Sequence, residues 1–431
     1  MYSELKKFVD GIEEELIYNR RDFHKNAESG WNEYRTSAII AKKLEELGYE
    51  VVVGEDLLDL DSRMGLPDEE EMKHFYDKAL LEFPNSKYLP LMKDGKTGVM
   101  GIYKNGGGPV IAMRFDIDAL GVEEDDTDEH IPFKCNFASI NENVAHACGH
   151  DGHASIGLGV AKTLMKFKDD IKGTVKLIFQ PAEEGVRGAK SIVEKGHLDD
   201  VKYFLGSHIS GFEEDEDIIP GSDGALATTK LDVTFTGKAS HAGGSPQIGK
   251  NAAMGMATAI LNLYAIPRHS KGATRINVGY SQAGTGRNVI PETAIIKIET
   301  RGETTEINDY VRNYALRICE SAANMHDLEW NYKLMGEASS MISDKSMMDR
   351  VRSVSEKLGL KVSKKDFNNL GGSEDVSYML SRVQEKGGVG TFLIITTKTY
   401  GPAHNRRFDF EESVLKKGVL VFSASVLDIF N

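Results

Sequence analysis

The sequence predicts an α/β domain built on a mixed sheet and interrupted by a smaller, ferredoxin-like α+β domain. Three observations lead there. The chain has 431 residues, more than one ordinary core accommodates, so two domains are the starting expectation. From Thr97 to His208, strand-like and helix-like segments alternate, the pattern of layered α/β packing. From Ala227 to Leu334 they run strand, helix, strand, strand, helix, strand, the order of a ferredoxin-like sandwich. The expected division is 1–225 and 338–431 for the larger domain and 226–337 for the insertion.

Taken in order, residues 5–47 read as helical, with Gly48 as the stop. Val51, Val52 and Val53 form a short strand. The charged stretch 56–93 reads as a surface helix with no chemistry to offer. Residues 98–103 and 109–113 flank a glycine turn and read as a hairpin, because no helix follows to make the glycines a phosphate loop. Helix 154–167, strand 174–179, helix 189–195 and strand 204–208 then alternate. In the insertion, strands are expected at 230–236, 275–280, 294–301 and 328–334, with helices at 251–264 and 307–323. A strand at 391–395 and a helix from Phe410 close the larger domain.

Composition excludes several classes of function. Apolar residues are 40% and charged ones 27%, as in a globular enzyme. A net charge of −14 argues against a nucleic-acid surface. No apolar run approaches the ~20 residues of a membrane span, and the start of the chain does not read as a signal peptide, so a cytoplasmic address is expected. Cys135, Cys148 and Cys319 are too few and too scattered for a disulfide framework.

Cys148 has unusual neighbours. His146-Ala147-Cys148-Gly149-His150-Asp151-Gly152-His153 stands at a helix entrance, and imidazole and thiolate are transition-metal ligands. Not all four can bind metal, so some must orient the others. Gln180-Pro181-Ala182-Glu183-Glu184-Gly185 follows an apolar strand, where one carboxylate can bind metal while the other takes a proton from water. Asp116 and Asp118 end another strand, His208 ends a further one, and His404 follows the last. Strand C-termini of an α/β sheet converge on one crevice, which makes a shared site the better account.

Other chemistries fit less well. Gly244 to Lys250 has the G-x-x-x-x-G-K spacing of a phosphate loop, but Asn251 stands where a Mg²⁺-binding hydroxyl belongs. Ala283-Gly284-Thr285-Gly286 is weaker still, and no G-x-S-x-G elbow is present.

The motifs above, with Gly237-Lys238-Ala239-Ser240-His241-Ala242-Gly243, Arg287-Asn288-Val289-Ile290-Pro291 and Gly372-Ser373-Glu374-Asp375, resemble the M20 family of metallopeptidases, in its aminoacylase-like amidohydrolase branch. The resemblance spans nearly the whole chain. It implies a catalytic domain of zinc-peptidase type and an inserted lid and dimerisation domain. It implies Cys148, His150, Glu184, His208 and His404 as ligands of two divalent ions, Mn²⁺ or Zn²⁺. Glu183 matches the general base, Asp118 an acid beside the metals, and His241 a lid histidine that reaches the active site, often that of the partner protomer. Asp116 falls where other branches have a metal-binding histidine, a duty Cys148 takes over, and Ala403 departs from a common His-His pair.

The implied reaction is amide hydrolysis of a small N-acyl amino acid, p-aminobenzoyl-glutamate first. Aromatic acyl-aspartates, hippurate and N-acetyl amino acids are alternatives, and a non-catalytic partner subunit is the reading of another class. His241 and Asn288 are expected to donate to the developing oxyanion. Arg275, Arg287 and Arg301 are the expected partners of the substrate carboxylate. The implied assembly is a homodimer through the lid, with room for a related second subunit.

Overall fold

A computed structural model describes residues 1–211 and 216–431. Along the chain come α1 (Tyr2–Asp10), α2 (Glu13–Lys25), α3 (Tyr34–Leu47), β1 (Glu50–Val53), α4 (Glu69–Glu82), α5 (Leu89–Met92), β2 (Val99–Lys104) and β3 (Val110–Asp116). Next are α6 (Ile131–Lys134), α7 (His150–Lys166), β4 (Thr174–Gln180), α8 (Ala189–Glu194), β5 (Tyr203–Gly211), β6 (Ile218–Ile219) and β7 (Ser222–Asp223). The middle of the chain forms β8 (Ala227–Thr236), α9 (Ala252–Leu263), β9 (Thr274–Ala283), β10 (Thr293–Gly302), α10 (Thr305–Met325) and β11 (Glu329–Ala338). It ends with α11 (Lys345–Lys357), β12 (Asn368–Asn369), α12 (Val376–Glu385), β13 (Val389–Thr397) and α13 (Val414–Phe430). None of the described helices is long and apolar enough to cross a membrane.

Two compact units result. The larger comprises Met1–Asp223, Met341–Leu370 and Asp375–Asn431, and the smaller Gly224–Ser340 with Gly371–Glu374. In the larger unit a seven-stranded sheet runs β1-β2-β4-β3-β5-β13-β6. Its central pairs β4–β3, β3–β5 and β5–β13 are parallel and the outer ones antiparallel. Alternate residues of β4, namely Val175, Leu177 and Phe179, join a core shared with Ile156 and Val160 of α7 and Val419 and Phe422 of α13. Every residue of β4 is buried, as expected of a strand covered on both faces.

Three expectations need correction. The segment 5–47 is three helices, not one. It breaks at Gly11 and again over residues 26–33, where the Glu28 carboxylate turns inward and accepts Arg35 N–H (2.9 Å) and Thr36 N–H (2.8 Å), capping the start of α3. Gly48, at φ +94°, does end α3. Strands β2 and β3 are not a hairpin: both pair with β4, which lies between them. A long-range pairing has displaced the local one. The final helix begins at Val414 rather than Phe410.

The smaller unit is an antiparallel sheet in the order β11-β8-β10-β9. Leu231, Val233 and Phe235 of β8 and Ala294, Ile296 and Ile298 of β10 alternate into a core with Ala259 of α9 and Ala315 and Cys319 of α10. The phosphate-loop look-alike is a helix entry. Asn251 caps α9 by accepting Ala253 N–H at 3.0 Å, and Lys250 pairs with Asp327 at 2.6 Å.

Candidate active site

The C-terminal ends of β3, β4 and β5 deliver Asp116, Gln180 and His208, and the first turn of α7 delivers His150 and His153. All lie within the larger unit, together with Cys148, Glu183, Glu184 and His404. Candidate donor atoms lie within 4.8 Å of one another in overlapping sets: Cys148, His150 and His208; Cys148, Glu184 and His404; His150, Glu183 and Glu184; Asp116, His150 and His153.

Each imidazole is oriented by its second nitrogen. His150 Nδ1–H donates to the Asp118 carbonyl (2.9 Å), which turns its Nε2 toward the cluster. His208 Nδ1–H donates to Ile209 O (2.6 Å), with Nε2 3.4 Å from Cys148 Sγ. His153 is spoken for on both sides: Nδ1 bonds Asp116 and Nε2 accepts Ile209 N–H at 2.9 Å. His153 is therefore an orienting group. His146 is buried with neither ring nitrogen hydrogen-bonded among the described residues, and burial lowers its pKa to about 4.

The spacing fits a metal. His150 Nε2 stands 3.6 Å from Asp116, 3.9 Å from Glu184 and 4.0 Å from Glu183, and His404 Nε2 is 3.7 Å from Glu184. These gaps are too long for good hydrogen bonds. Ligands about 2.0–2.3 Å from one ion stand about 3–4 Å apart. Among the described residues, His150 Nε2 and Glu184 Oε1 are sealed from solvent with no hydrogen-bond partner, a costly state unless a cation completes it.

The electrostatics agree. Burial opposes a charge on His150, but Asp116 and Cys148 outweigh it and hold its pKa well above the ordinary value. Burial pushes the Glu184 carboxyl and the Cys148 thiol upward and lowers His208 to about 3. Such a pocket attracts positive charge, and a bound cation would draw the proton off the thiol.

Asp118 aims both glutamates. Its two carboxylate oxygens accept Glu183 N–H (3.0 Å) and Glu184 N–H (2.9 Å). The loop they sit on is strained, with positive φ at Ala182 (+51°) and the β-branched Val186 (+60°), and His404 is likewise at +64°.

Residues to which the sequence reading gives no role hold that strain in place. Glu33 accepts Ala182 N–H (2.8 Å), and Asp375 accepts Gly188 N–H (3.0 Å) and Ala189 N–H (2.9 Å). Arg114 is fully buried and ties Asp116 (2.6 Å), Gln180 (2.8 Å) and Asp375 (3.3 Å) together. Against burial, which alone would raise it, Arg114, His150 and His153 keep the Asp116 pKa well below the carboxylate range. An arginine inside an otherwise apolar strand is the sequence signal that could have found this network.

The remaining predicted residues belong to the smaller unit. His241 is exposed, and its Nδ1 accepts Gly244 N–H (2.8 Å) and Gly243 N–H (3.2 Å), which leaves Nε2 as the donating nitrogen of the neutral ring. Residue 241 bridges to Val289, and Asn288 O accepts Ala242 N–H at 3.0 Å, so His241 and Asn288 are neighbours. Arg275 and Arg287 are exposed. Arg301 already has a carboxylate partner: its Nε and Nη2 bond Glu299 at 3.0 Å each, and its Nη1 lies 3.5 Å from Ser373 Oγ.

Comparison with known proteins agrees with this geometry. The family model for peptidase family M20/M25/M40 matches residues 112–428. The chain is 41% identical to an indole-3-acetyl-aspartic acid hydrolase of Enterobacter agglomerans and 40% identical to one subunit of the p-aminobenzoyl-glutamate hydrolase of Escherichia coli (strain K12), each over 98% of both chains. The crystal structure of an aminobenzoyl-glutamate utilization protein from Klebsiella pneumoniae superposes with a TM-score of 0.84 at 36% identity, covering 98% of each chain. A mixed-sheet domain with a ferredoxin-like insertion, a buried donor cluster and these matches have one common explanation: the chain belongs to peptidase family M20/M25/M40 and is a metal-dependent amidohydrolase.

Proposed function

We propose that the protein hydrolyses the amide bond of N-acylated acidic amino acids, p-aminobenzoyl-glutamate first among them. The observation that carries this is Glu183, held by Asp118 at the edge of a sealed Cys/His/Glu donor cluster. The relatives supply the substrate class, since those named above act on an acyl-glutamate and an acyl-aspartate. An aromatic acyl-aspartate is the second reading, favoured by the 41% identity to the aspartate-conjugate hydrolase.

In this reading Cys148, His150, Glu184, His208 and His404 hold two divalent cations. Bound there, the cations would acidify a water and polarise the amide carbonyl. Zn²⁺ suits the Cys148 thiolate, and Mn²⁺ suits the carboxylate and imidazole donors. Glu183 takes the proton of the attacking water and delivers it to the leaving nitrogen. Asp118 fixes the direction of both glutamates. His241 Nε2–H and Asn288 are the proposed donors to the carbonyl oxygen. Arg275 and Arg287 are the proposed partners of the α-carboxylate, and Arg301 ranks behind them because Glu299 occupies it.

The smaller unit is the proposed lid and dimerisation domain. Its edge strand β9 is exposed along most of its length, and Tyr280 on it and Met254, Leu261 and Tyr264 in and beside α9 are large exposed apolar groups. A homodimer through this surface is the expected assembly. A cytoplasmic address and a second, related subunit remain parts of the proposal.

The test is a hydrolysis screen of the purified protein on N-acyl-glutamates and N-acyl-aspartates, with bound metal measured alongside. Cleavage of p-aminobenzoyl-glutamate that chelator abolishes and Zn²⁺ or Mn²⁺ restores supports the reading. A metal-replete sample that cleaves none of the panel refutes it.

A further inference from the structure

Arg187 lies on the same strained loop as Glu183 and Glu184. Its Nε donates to the Glu184 carbonyl at 2.7 Å and its Nη1 to the Gly65 carbonyl at 2.8 Å. Both acceptors are neutral, and no carboxylate pairs with this half-buried guanidinium among the described residues. Arg20, Arg35, Arg114, Arg312 and Arg382 all meet carboxylates.

The surroundings repeat the pattern. Arg63 also bonds only carbonyls, Asp94 O at 2.7 Å and Gly95 O at 3.0 Å, and lies over the Trp31 ring. Trp31 Nε1–H in turn donates to Met64 O at 2.8 Å. The segment around Gly65 is thus anchored beside the catalytic loop, and it sets there two guanidinium groups that bond carbonyl oxygens and no carboxylate among the described residues. Residue 30 is shaped to this arrangement, because a Cβ there would stand 2.2 Å from Arg187 Nη2. Only glycine leaves the guanidinium its place.

A partly desolvated guanidinium without a counter-ion favours an anion from outside, and its planar fork suits a carboxylate. The geometry points to Arg187 as the group that receives the side-chain carboxylate of an acidic amino acid in the substrate. The segment before α4 then has a role, backing the specificity arginine. This inference rests on the N-acyl amino acid reading above, and it assigns the second carboxylate to the larger unit rather than to the lid arginines.

The test compares kcat/KM on an N-acyl-glutamate and on the isosteric N-acyl-glutamine, for wild type, Arg187→Gln and Arg187→Lys. The wild type should prefer the glutamate substrate. In Arg187→Gln that preference should fall about 10- to 100-fold, mainly through KM, the scale of one hydrogen bond to a charged group. Arg187→Lys, which keeps the charge and loses the fork, should fall between. Because the readout is a ratio within each variant, a general loss from a loosened loop does not imitate it. A preference unchanged in both variants, or a wild type indifferent to the two substrates, overturns the inference while leaving the hydrolase reading intact. A wild type that cleaves neither overturns both.

Discussion

Two clusters of histidine and glutamate lie in the larger unit, and their spacing differs. Around His150 the pairs His150–Asp116, His150–Glu183, His150–Glu184, His404–Glu184 and Cys148–His208 stand 3.4–4.0 Å apart, and His150 Nε2 and Glu184 Oε1 have no hydrogen-bond partner among the described residues. Around Glu124 the contacts are short. His24 Nε2 lies 2.8 Å and His130 Nε2 2.7 Å from the same Glu124 Oε1, and the other oxygen accepts Ser139 N–H at 2.6 Å. Both clusters have metal-type residues at metal-type proximity. The first leaves room for an ion among its donors, and the second fills that room with shared protons. Ligand chemistry alone does not mark a metal centre; unsatisfied donors held too far apart to bond one another do.

The Glu124 cluster is instead a charge network. His24 bonds Glu124 through one nitrogen and Asp151 through the other, at 2.8 Å each, so both of its nitrogens donate. Burial works against that charge, but the two carboxylates outweigh it and raise the His24 pKa to about 9. Glu124 is lowered to about 2, because His130 and His24 outweigh the burial that opposes it. Asp151 also meets Arg20 at 2.8 Å, and so links this network to the turn of α7 that presents His150.

The largest test of the contrast is metal removal. Chelation should take hydrolysis to background, and Cys148→Ala should bind fewer than the two ions proposed for the site, as read by elemental analysis; full metal content in that variant would break the assignment. Next is Glu183→Gln, expected to lower kcat by about 10²–10⁴ while metal content holds, which separates the base from the ligands. A loss of metal in that variant would make Glu183 a ligand instead.

The third prediction concerns pH and the charge network. The folded pKa of His24 is above its unfolded value of about 6.5, so its contribution is fully present below pH ~6.5 and is lost as pH rises through about 9. A shift of that size corresponds to about 3 kcal/mol. The wild-type Tm should therefore fall more steeply between pH 7 and 10 than that of His24→Gln, and parallel pH profiles would count against a protonated His24. The smallest expected effect is none: His130→Ala should keep the metal content of the wild type, whereas loss of one equivalent would reveal a metal in the Glu124 cluster.

Much of the candidate site was legible in the sequence. Cys148, His150, Glu183, Glu184, His208 and His404 stood out because thiol, imidazole and paired carboxylate are conspicuous at strand ends, and the fold brings them together. The ferredoxin-like order of the insertion was legible as well, since alternation and helical period are local signals. The helix at 5–47 was misread because helical periodicity continued across residues whose inward-turned Glu28 only tertiary packing explains. The β2–β3 hairpin was misread because a glycine turn is a local cue, and β4 competes from about 70 residues further along, at Val175 opposite Tyr103.

By itself, then, the sequence marked which side chains have the chemistry of metal ligands or proton carriers, and most of the strand and helix segments, because these follow from residue chemistry and short-range pattern; the particular ligand set and base came from the family resemblance. Tertiary structure alone decided that both ring nitrogens of His153 are already bonded, that Arg301 meets Glu299, and that Arg187 bonds carbonyl oxygens and no carboxylate among the described residues. Such outcomes depend on which distant groups share a hydrogen bond, and distances between remote residues are set only when the chain packs.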